Sequence, residues 1–324
     1  MRCTPCLPVA CLFLAVAMPA VAQSNVTVSG YLDAGVYRDF DKTTKLGSIQ
    51  RSNLAFAGNE DLGGGLHATF RLSTRFELDT GANEGAGQKP FWHDESTVGL
   101  RGGWGHVRLG RALTAMWAQE WQFDPWSNFN RVASPAWHMA HYLTPTDRVS
   151  NNGSPEYGRL SNGVFYDSPK VAGFSLHLSA SPERTEAPGR QGHARSASLN
   201  YDKGAVAAVL AHERNGSGDS DMYMGGKVRM GAAAVMLAYD HSKSGDTPDR
   251  SRMVSVGATY VVGVVTLKTS YARQRLNVET NHMVSAGAEY SLSKRTMLYA
   301  SLGHQRYDNQ ASRTAFGVGM AHSF

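Results

Sequence analysis

From Val26 onward, apolar and polar residues alternate in short runs. Val26, Val28, Leu32 and Val36 share one parity, while Thr27, Ser29, Tyr31, Asp33 and Tyr37 share the other. The same interleaving sets Ala68, Phe70, Leu72, Phe76 and Leu78 against Thr69, Arg71, Ser73, Arg75 and Glu77. It returns where Val265, Leu267 and Tyr271 alternate with Thr266, Lys268 and Ser270. A period of two marks strands whose two faces meet different surroundings. No long segment carries the i, i+3, i+4, i+7 spacing of an amphipathic helix.

Each run spans about ten residues, the length that a tilted strand needs to cross a bilayer. The connectors alternate as well. Tight turns are expected at residues 61–65, 102–105, 167–173, 201–204, 230–231, 261–263 and 292–296. Longer polar links lie near 39–47, 80–90, 114–156, 182–192, 215–219, 244–249, 277–281 and 308–312. Seven short and eight long connections join sixteen strands. The pattern predicts an all-β, sixteen-stranded antiparallel transmembrane β-barrel with short periplasmic turns and long external loops, because closure leaves no unpaired edge in lipid. A soluble β-sandwich would alternate too. Against it stand Tyr201, Tyr239, Tyr260 and Tyr290 close to the short turns and a terminal Phe324, which fit an interfacial aromatic girdle.

The first residues read differently. Arg2 supplies a positive start, an apolar stretch runs from Leu7 to Ala17, and Ala20, Val21 and Ala22 form a small-residue cleavage signal. The expected division is a cleaved signal peptide over residues 1–22 and a single barrel domain over residues 23–324. A lipid-modified Cys11 is the alternative processing, and it is disfavoured because the apolar run continues past it. Cys3, Cys6 and Cys11 all lie inside this segment, so the exported chain has no thiol for a disulfide, a nucleophile or a metal.

Composition narrows the partners. Charged residues make up 18% of the 324, below the roughly 25% of a soluble domain, yet the mean hydropathy is negative, which disfavours a helical membrane protein. A formal net charge of +5 is too mild for a nucleic-acid-binding chain, and no nucleic-acid partner is expected.

Several segments then combine. VTVSGYLDAGV (residues 26–36), SNLAFAGNEDLGGGLHATFRL (52–72) and STVGLRGGWGHVRLGR (96–111) resemble the general porins of Gram-negative bacteria, the trimeric sixteen-stranded family. NGVFYDSP (162–169), LSKRTMLYA (292–300) and the ending VGMAHSF (318–324) carry the resemblance to the end of the chain. It implies a homotrimer in the outer membrane that passes small hydrophilic solutes and ions by diffusion, without cofactor, metal or catalysed reaction. It also implies that Phe324 is read by the outer-membrane assembly machinery. Phe316, Val318, Met320, His322 and Phe324 share a parity, giving an outward, mostly apolar face that ends in an aromatic carboxylate.

The long link at 114–156 is the expected functional centre, since a loop of roughly forty residues in an economical barrel is usually functional. The resemblance implies that it folds into the lumen as the constriction. Trp117, Trp121, Trp126 and Trp137 are four of the six tryptophans, and Phe123, Phe129 and Tyr142 join them. These rings read first as packing against the barrel wall; the sharper alternative is a substrate-specific channel whose constriction stacks a planar or sugar-like solute. Glu120 and Asp124 add acid to the constriction loop. Inward parity offers Arg51, Arg71, Arg75, Arg101, Arg108, Lys227, Arg229 and Lys268 against Glu77, Glu95, Asp240 and Glu289. Arg159 matches a basic position of the family, whereas Asn53 and the pair Asp94 and Glu95 depart from its usual basic residues. The summed excess favours mild anion selectivity, with Arg75 carrying the largest effect.

Enzyme signatures are missing. The twelve histidines form no H-E-x-x-H, and neither G-x-S-x-G nor a P-loop occurs. His138 and His141 stand near Asp147 in sequence, but no third ligand completes a metal site. A barrel hydrolase with a Ser/His site on its outer wall and a periplasmic carbohydrate-binding protein are the rival classes.

Overall fold

The computed structural model describes residues 25–84, 90–142, 158–183 and 192–324. The expected signal peptide, its cleavage site and Asp147 lie outside the described residues. The rest forms a closed antiparallel barrel of sixteen strands, as the alternation predicts. The strands are β1 (Asn25–Arg38), β2 in two segments (Thr44–Gly47 and Ser52–Gly63), β3 (Leu66–Phe76), β4 (Glu95–Gly102), β5 (Gly105–Leu113), β6 (Arg159–Asp167), β7 (Phe174–Ala180) and β8 (Arg195–Lys203). There follow β9 (Val206–Arg214), β10 (Ser220–Met230), β11 (Ala233–Lys243), β12 (Arg250–Val262), β13 (Val265–Leu276), β14 (Glu279–Ser291), β15 (Thr296–Arg306) and β16 (Arg313–Ser323). Neighbours in sequence are neighbours in the sheet. Closure comes where β1 pairs with β2 on one side and with β16 on the other, Tyr31 lying opposite both Asn53 and Ser323.

Parity sorts the two faces. Val98, Leu210, Val256 and Val318 point outward and stay exposed, whereas Ser198, Ser242, Ser270 and Ser285 on the other parity are buried in the barrel interior. An apolar outer band and a polar interior are what lipid and a watery lumen require of one strand. Phe174, Tyr201, Tyr260 and Tyr290 ring the tight-turn rim, while Tyr239 sits nearer the loop rim, two outward positions below Lys243. No described helix is long and apolar enough to cross a membrane.

All seven tight turns fall where the sequence places them. The expected long link at 277–281 does not form: β13 and β14 are joined by Asn277 and Val278 alone. Asn277 takes φ +54°, and its amide accepts from Arg250 N at 2.9 Å and donates to Asp249 at 2.7 Å. Asparagine tolerates this left-handed conformation because its side chain bonds nearby backbone.

Strand β2 breaks at residues 48–51. There the amides of Ile49 and Gln50 leave the ladder and donate to Asp33 Oδ1 at 2.8 and 2.7 Å, and Tyr299 donates to Asp33 Oδ2 at 2.5 Å. A buried amide must find a partner, and one carboxylate supplies it twice. The break lets Ile49 drop into the interior beside Tyr37, Phe40, Val132 and Met139.

At the chain's end, Phe324 N donates to Gly30 O at 3.1 Å and Gly30 N donates to Phe324 O at 3.2 Å. The Phe324 ring covers Gly30, where an added Cβ would meet Cζ at 2.5 Å.

Candidate functional site

The loop after β5 lies along the inner wall. Within it are a single turn α1 (Trp117–Glu120), a 3-10 turn (Trp121–Phe123) and α2 (Pro135–Met139). Such short helices do not hold themselves, so wall contacts fix the loop. Ser179 and Ser196 accept from the amides of Ala115 and Met116 at 3.0 Å each. Asp124 accepts from Trp126 N at 3.0 Å and Asn128 N at 3.1 Å, closing the bend that follows the 3-10 turn. Asn130 accepts from Val132 N and Ala133 N and donates to Ser301 Oγ at 2.9 Å. Ser134 caps α2 by accepting from Trp137 N, and Gln274 donates to Met139 O at 3.0 Å.

Inward glycines make the close approach possible. An added Cβ would stand 2.5 Å from the Phe123 ring at Gly225, 2.5 Å from Pro125 at Gly257 and 2.0 Å from Val132 O at Gly303. The loop therefore crosses the inner face from β10 to β15 in a seat without side chains.

One cluster pins its far end. His141 Nε2 is 2.6 Å from Glu120 Oε2, and Nδ1 is 2.7 Å from Asp221 Oδ2 and 2.9 Å from Asp240 Oδ2. The four side chains are almost fully buried, with Trp117 over the ring at 4.3 Å. Burial favours neutral imidazole, but Glu120, Asp240 and Asp221 outweigh it and hold His141 well above its ordinary pKa. Burial pushes Glu120 up, partly offset by His141. His141, Asp221 and Asp240 have the spacing of a metal site, yet both ring nitrogens face carboxylates, as a protonated imidazole requires. His138 does not join them. Burial lowers it to about 4, and its Nε2 donates to Arg131 O at 2.9 Å.

Across the lumen, arginines and acids interlock. Glu84 takes a bidentate pair from Arg51, accepts from Arg131 at 3.1 Å and lies 4.0 Å from Arg75. Asp94 pairs with Arg75 at 2.7 Å and with Arg159, and Arg131 also reaches Glu77 at 2.6 Å. Burial would raise both Glu84 and Asp94, but the surrounding guanidinium groups hold each carboxyl well below the usual range. Arg51 and Arg75 lie over the Phe129 ring, and Arg51 and Arg131 over Trp137.

The expected lining residues thus take distinct places. Arg51, Arg75 and Arg159 join the network at the loop, Arg75 being only 7% exposed. Arg71 and Arg108 share Glu95, and Arg108 also reaches Asp167. Arg101 is exposed and donates to Asn59, while Lys268 pairs with Glu289 at 2.5 Å. In the loop, Trp126 is buried against the wall and Asp124 is buried, its carboxyl pushed up to about 6 by that burial. Glu120 is buried with His141, Trp117 is half-buried, and Trp121 and Trp137 remain exposed. Sequence reading missed Arg131 and Glu84, which tie loop to wall; loop positions carry no strand parity to betray their direction.

Comparison with known proteins decides the family. A Gram-negative porin profile matches residues 9–310. The chain belongs to the Gram-negative porin family. It is 29% identical to the major outer membrane protein P.IB of Neisseria lactamica, over 95% of this chain and 97% of the relative. It is 28% identical to outer membrane porin protein 32 of Delftia acidovorans, covering 89% and 86%. The fold matches the anion-selective porin from Comamonas acidovorans with a TM-score of 0.79, at 24% identity over 93% of this chain and all of that one. OmpT of Vibrio cholerae in its trimer form matches at 0.68, with 14% identity, over 93% of this chain and 99% of that one. The protein is a porin of the outer membrane, a passive channel for small solutes.

Proposed function

We propose that this porin favours anions modestly and selects solutes by size at the seated loop, with no catalysed reaction and no cofactor. The observation that carries the preference is an excess of cations in each lumen group. Arg51, Arg75, Arg131 and Arg159 face Glu77, Glu84 and Asp94. Arg71 and Arg108 pair with Glu95 and Asp167 while Arg101 stands by on Asn59, and Lys227, Arg229 and Lys268 face Asp202 and Glu289. Glu120, Asp221 and Asp240 lie buried beneath the loop around His141, where ions in the lumen do not meet them. Charges lining a narrow, low-dielectric pore act strongly on ions that have shed part of their water. The likeness to the anion-selective porin from Comamonas acidovorans supports the same reading.

The reading includes a homotrimer, export by a signal peptide cleaved after Ala22, and delivery through Phe324 to the assembly machinery, all supported by the family. Liposome swelling with sugars of increasing size tests the channel itself. Rates should fall smoothly with solute size without saturating. Saturation by one sugar, lost in Trp137→Ala, would favour the substrate-specific alternative, in which the exposed Trp137 beside Arg51 and Arg131 stacks the solute.

A further inference from the structure

The break in β2 is an insertion. Gly35 of β1 lies opposite Gly47 and Tyr31 lies opposite Asn53, so three residues of β1, Leu32 to Ala34, stand against five of β2, Ser48 to Ser52. On its other edge β1 pairs with β16 without interruption from Tyr31 to Arg38. The two surplus residues therefore belong to β2 alone, and their even number keeps the same inward and outward parity on either side. Bulges re-aim side chains and gather next to functional sites.

Asp33 holds this one open. On the β2 side its backbone is met by side chains: Asp33 N donates to Ser52 Oγ at 3.0 Å, and the Ser48 and Ser52 hydroxyls lie 3.2 and 3.3 Å from Asp33 O. Its carboxylate accepts from Ile49 N, Gln50 N and the Tyr299 hydroxyl of β15, while Tyr31 donates to Gln50 Oε1 at 3.0 Å.

The insertion in turn carries the constriction. Ile49 O accepts from Arg131 N at 2.9 Å, a backbone bond between wall and loop, and the Ile49 side chain packs in one cluster with Val132 and Met139. Arg51 reaches Glu84 from the same insertion and lies over Phe129 and Trp137, and Arg131 reaches the same Glu84. Asp33 itself is fully buried, out of reach of ions in the lumen.

We propose that Asp33 is a positioning residue for ion selectivity: by holding the insertion it sets Arg51 and Arg131 against Glu84. The inference rests on the anion preference proposed above. The charge of Asp33 works in the opposite direction. Removing an acid, taken alone, makes the wall more positive and favours anions, whereas losing its hydrogen bonds frees both arginines, uncovers Glu84 and favours cations.

The test compares two neutral side chains of like size, Asp33→Asn and Asp33→Leu, in the intact channel. Asparagine keeps an oxygen for both amides and offers Tyr299 an N–H. Leucine leaves the amides of Ile49 and Gln50 buried without that acceptor. Under a KCl gradient, Asp33→Asn should hold the chloride-to-potassium permeability ratio at or above that of the unmodified protein. Asp33→Leu should lower the ratio about twofold relative to Asp33→Asn, with barrel circular dichroism retained. The two variants carry the same charge, so their difference reports position alone, and the sign found for the unmodified channel tests the anion preference separately. Equal ratios in the two variants, or a higher ratio in Asp33→Leu, would overturn the proposal. Should Asp33→Leu fail to assemble, Tyr299→Phe frees one carboxylate oxygen with the charge in place. It should lower the ratio too, and an unchanged ratio there would equally overturn the proposal.

Discussion

His141 is one cation serving three buried carboxylates, so its removal strands charge in the interior. Breaking a buried pair costs about 3–5 kcal/mol, and His141→Ala should lower stability by that order. Unfolding in detergent followed by circular dichroism measures it. The pH dependence has a definite sign, because the folded pKa is raised. The contribution is complete below the ordinary histidine value of about 6.5 and is lost as pH rises through the raised one. The stability gap between the unmodified protein and His141→Ala should therefore narrow in alkali, and a constant gap would contradict the assignment. Glu84 and Asp94 behave oppositely. Their depressed values keep the arginine network charged above about pH 4, its stabilisation being lost only as pH falls through those lower values. Ion selectivity should accordingly be the same in mild acid as at neutrality. Arg75→Glu places a third acid against Glu84 and Asp94, so it should move selectivity toward cations and lower the melting point together. A reversal potential unchanged by Arg75→Glu would remove Arg75 from the selectivity account.

At the level of elements, the loop stays on the wall because the wall has no side chains there. Gly303→Val would drive a Cβ into Val132 O, and Gly257→Leu one into Pro125, so either variant should lift the loop and raise conductance. Gly226→Ala, where the added Cβ meets nothing within 4 Å, should change nothing and serves as the control. At the end of β16, Phe324→Ala should reduce barrel assembly while leaving the conductance of assembled channels intact. Normal assembly yield would remove Phe324 from that role. Strands were legible because lipid on one side and a polar interior on the other impose a strict alternation. The break in β2 was not, since it depends on Asp33 meeting amides sixteen and seventeen positions away. The two-residue link at Asn277 escaped because a stretch with four polar residues in five, Asn277, Glu279, Thr280 and Asn281 around Val278, looks the same whether it bulges outward or belongs to strand ends. His141 showed its neighbour His138 in sequence, but its real partners Asp221 and Asp240 lie on β10 and β11, where only the barrel brings them near.

For the whole molecule, charge is sorted by compartment. Cations in slight excess face the lumen, acids in excess are sealed with His141 under the loop, and exposed cations that form no ion pair among the described residues face outward at the loop rim. Sequence parity gave the direction of the strand residues. It did not give the pairing that leaves each lumen group only slightly cationic, and so it could not set the strength of the preference. The most direct measurement is the zero-current potential of the purified protein in a planar bilayer under a KCl gradient. The account predicts stepwise, passive conductance and a potential of the sign given by chloride permeating faster than potassium. Raising both solutions to about 1 M should shrink that potential, because the Debye length falls to about 3 Å. A potential of the opposite sign, or one indifferent to salt, would contradict it.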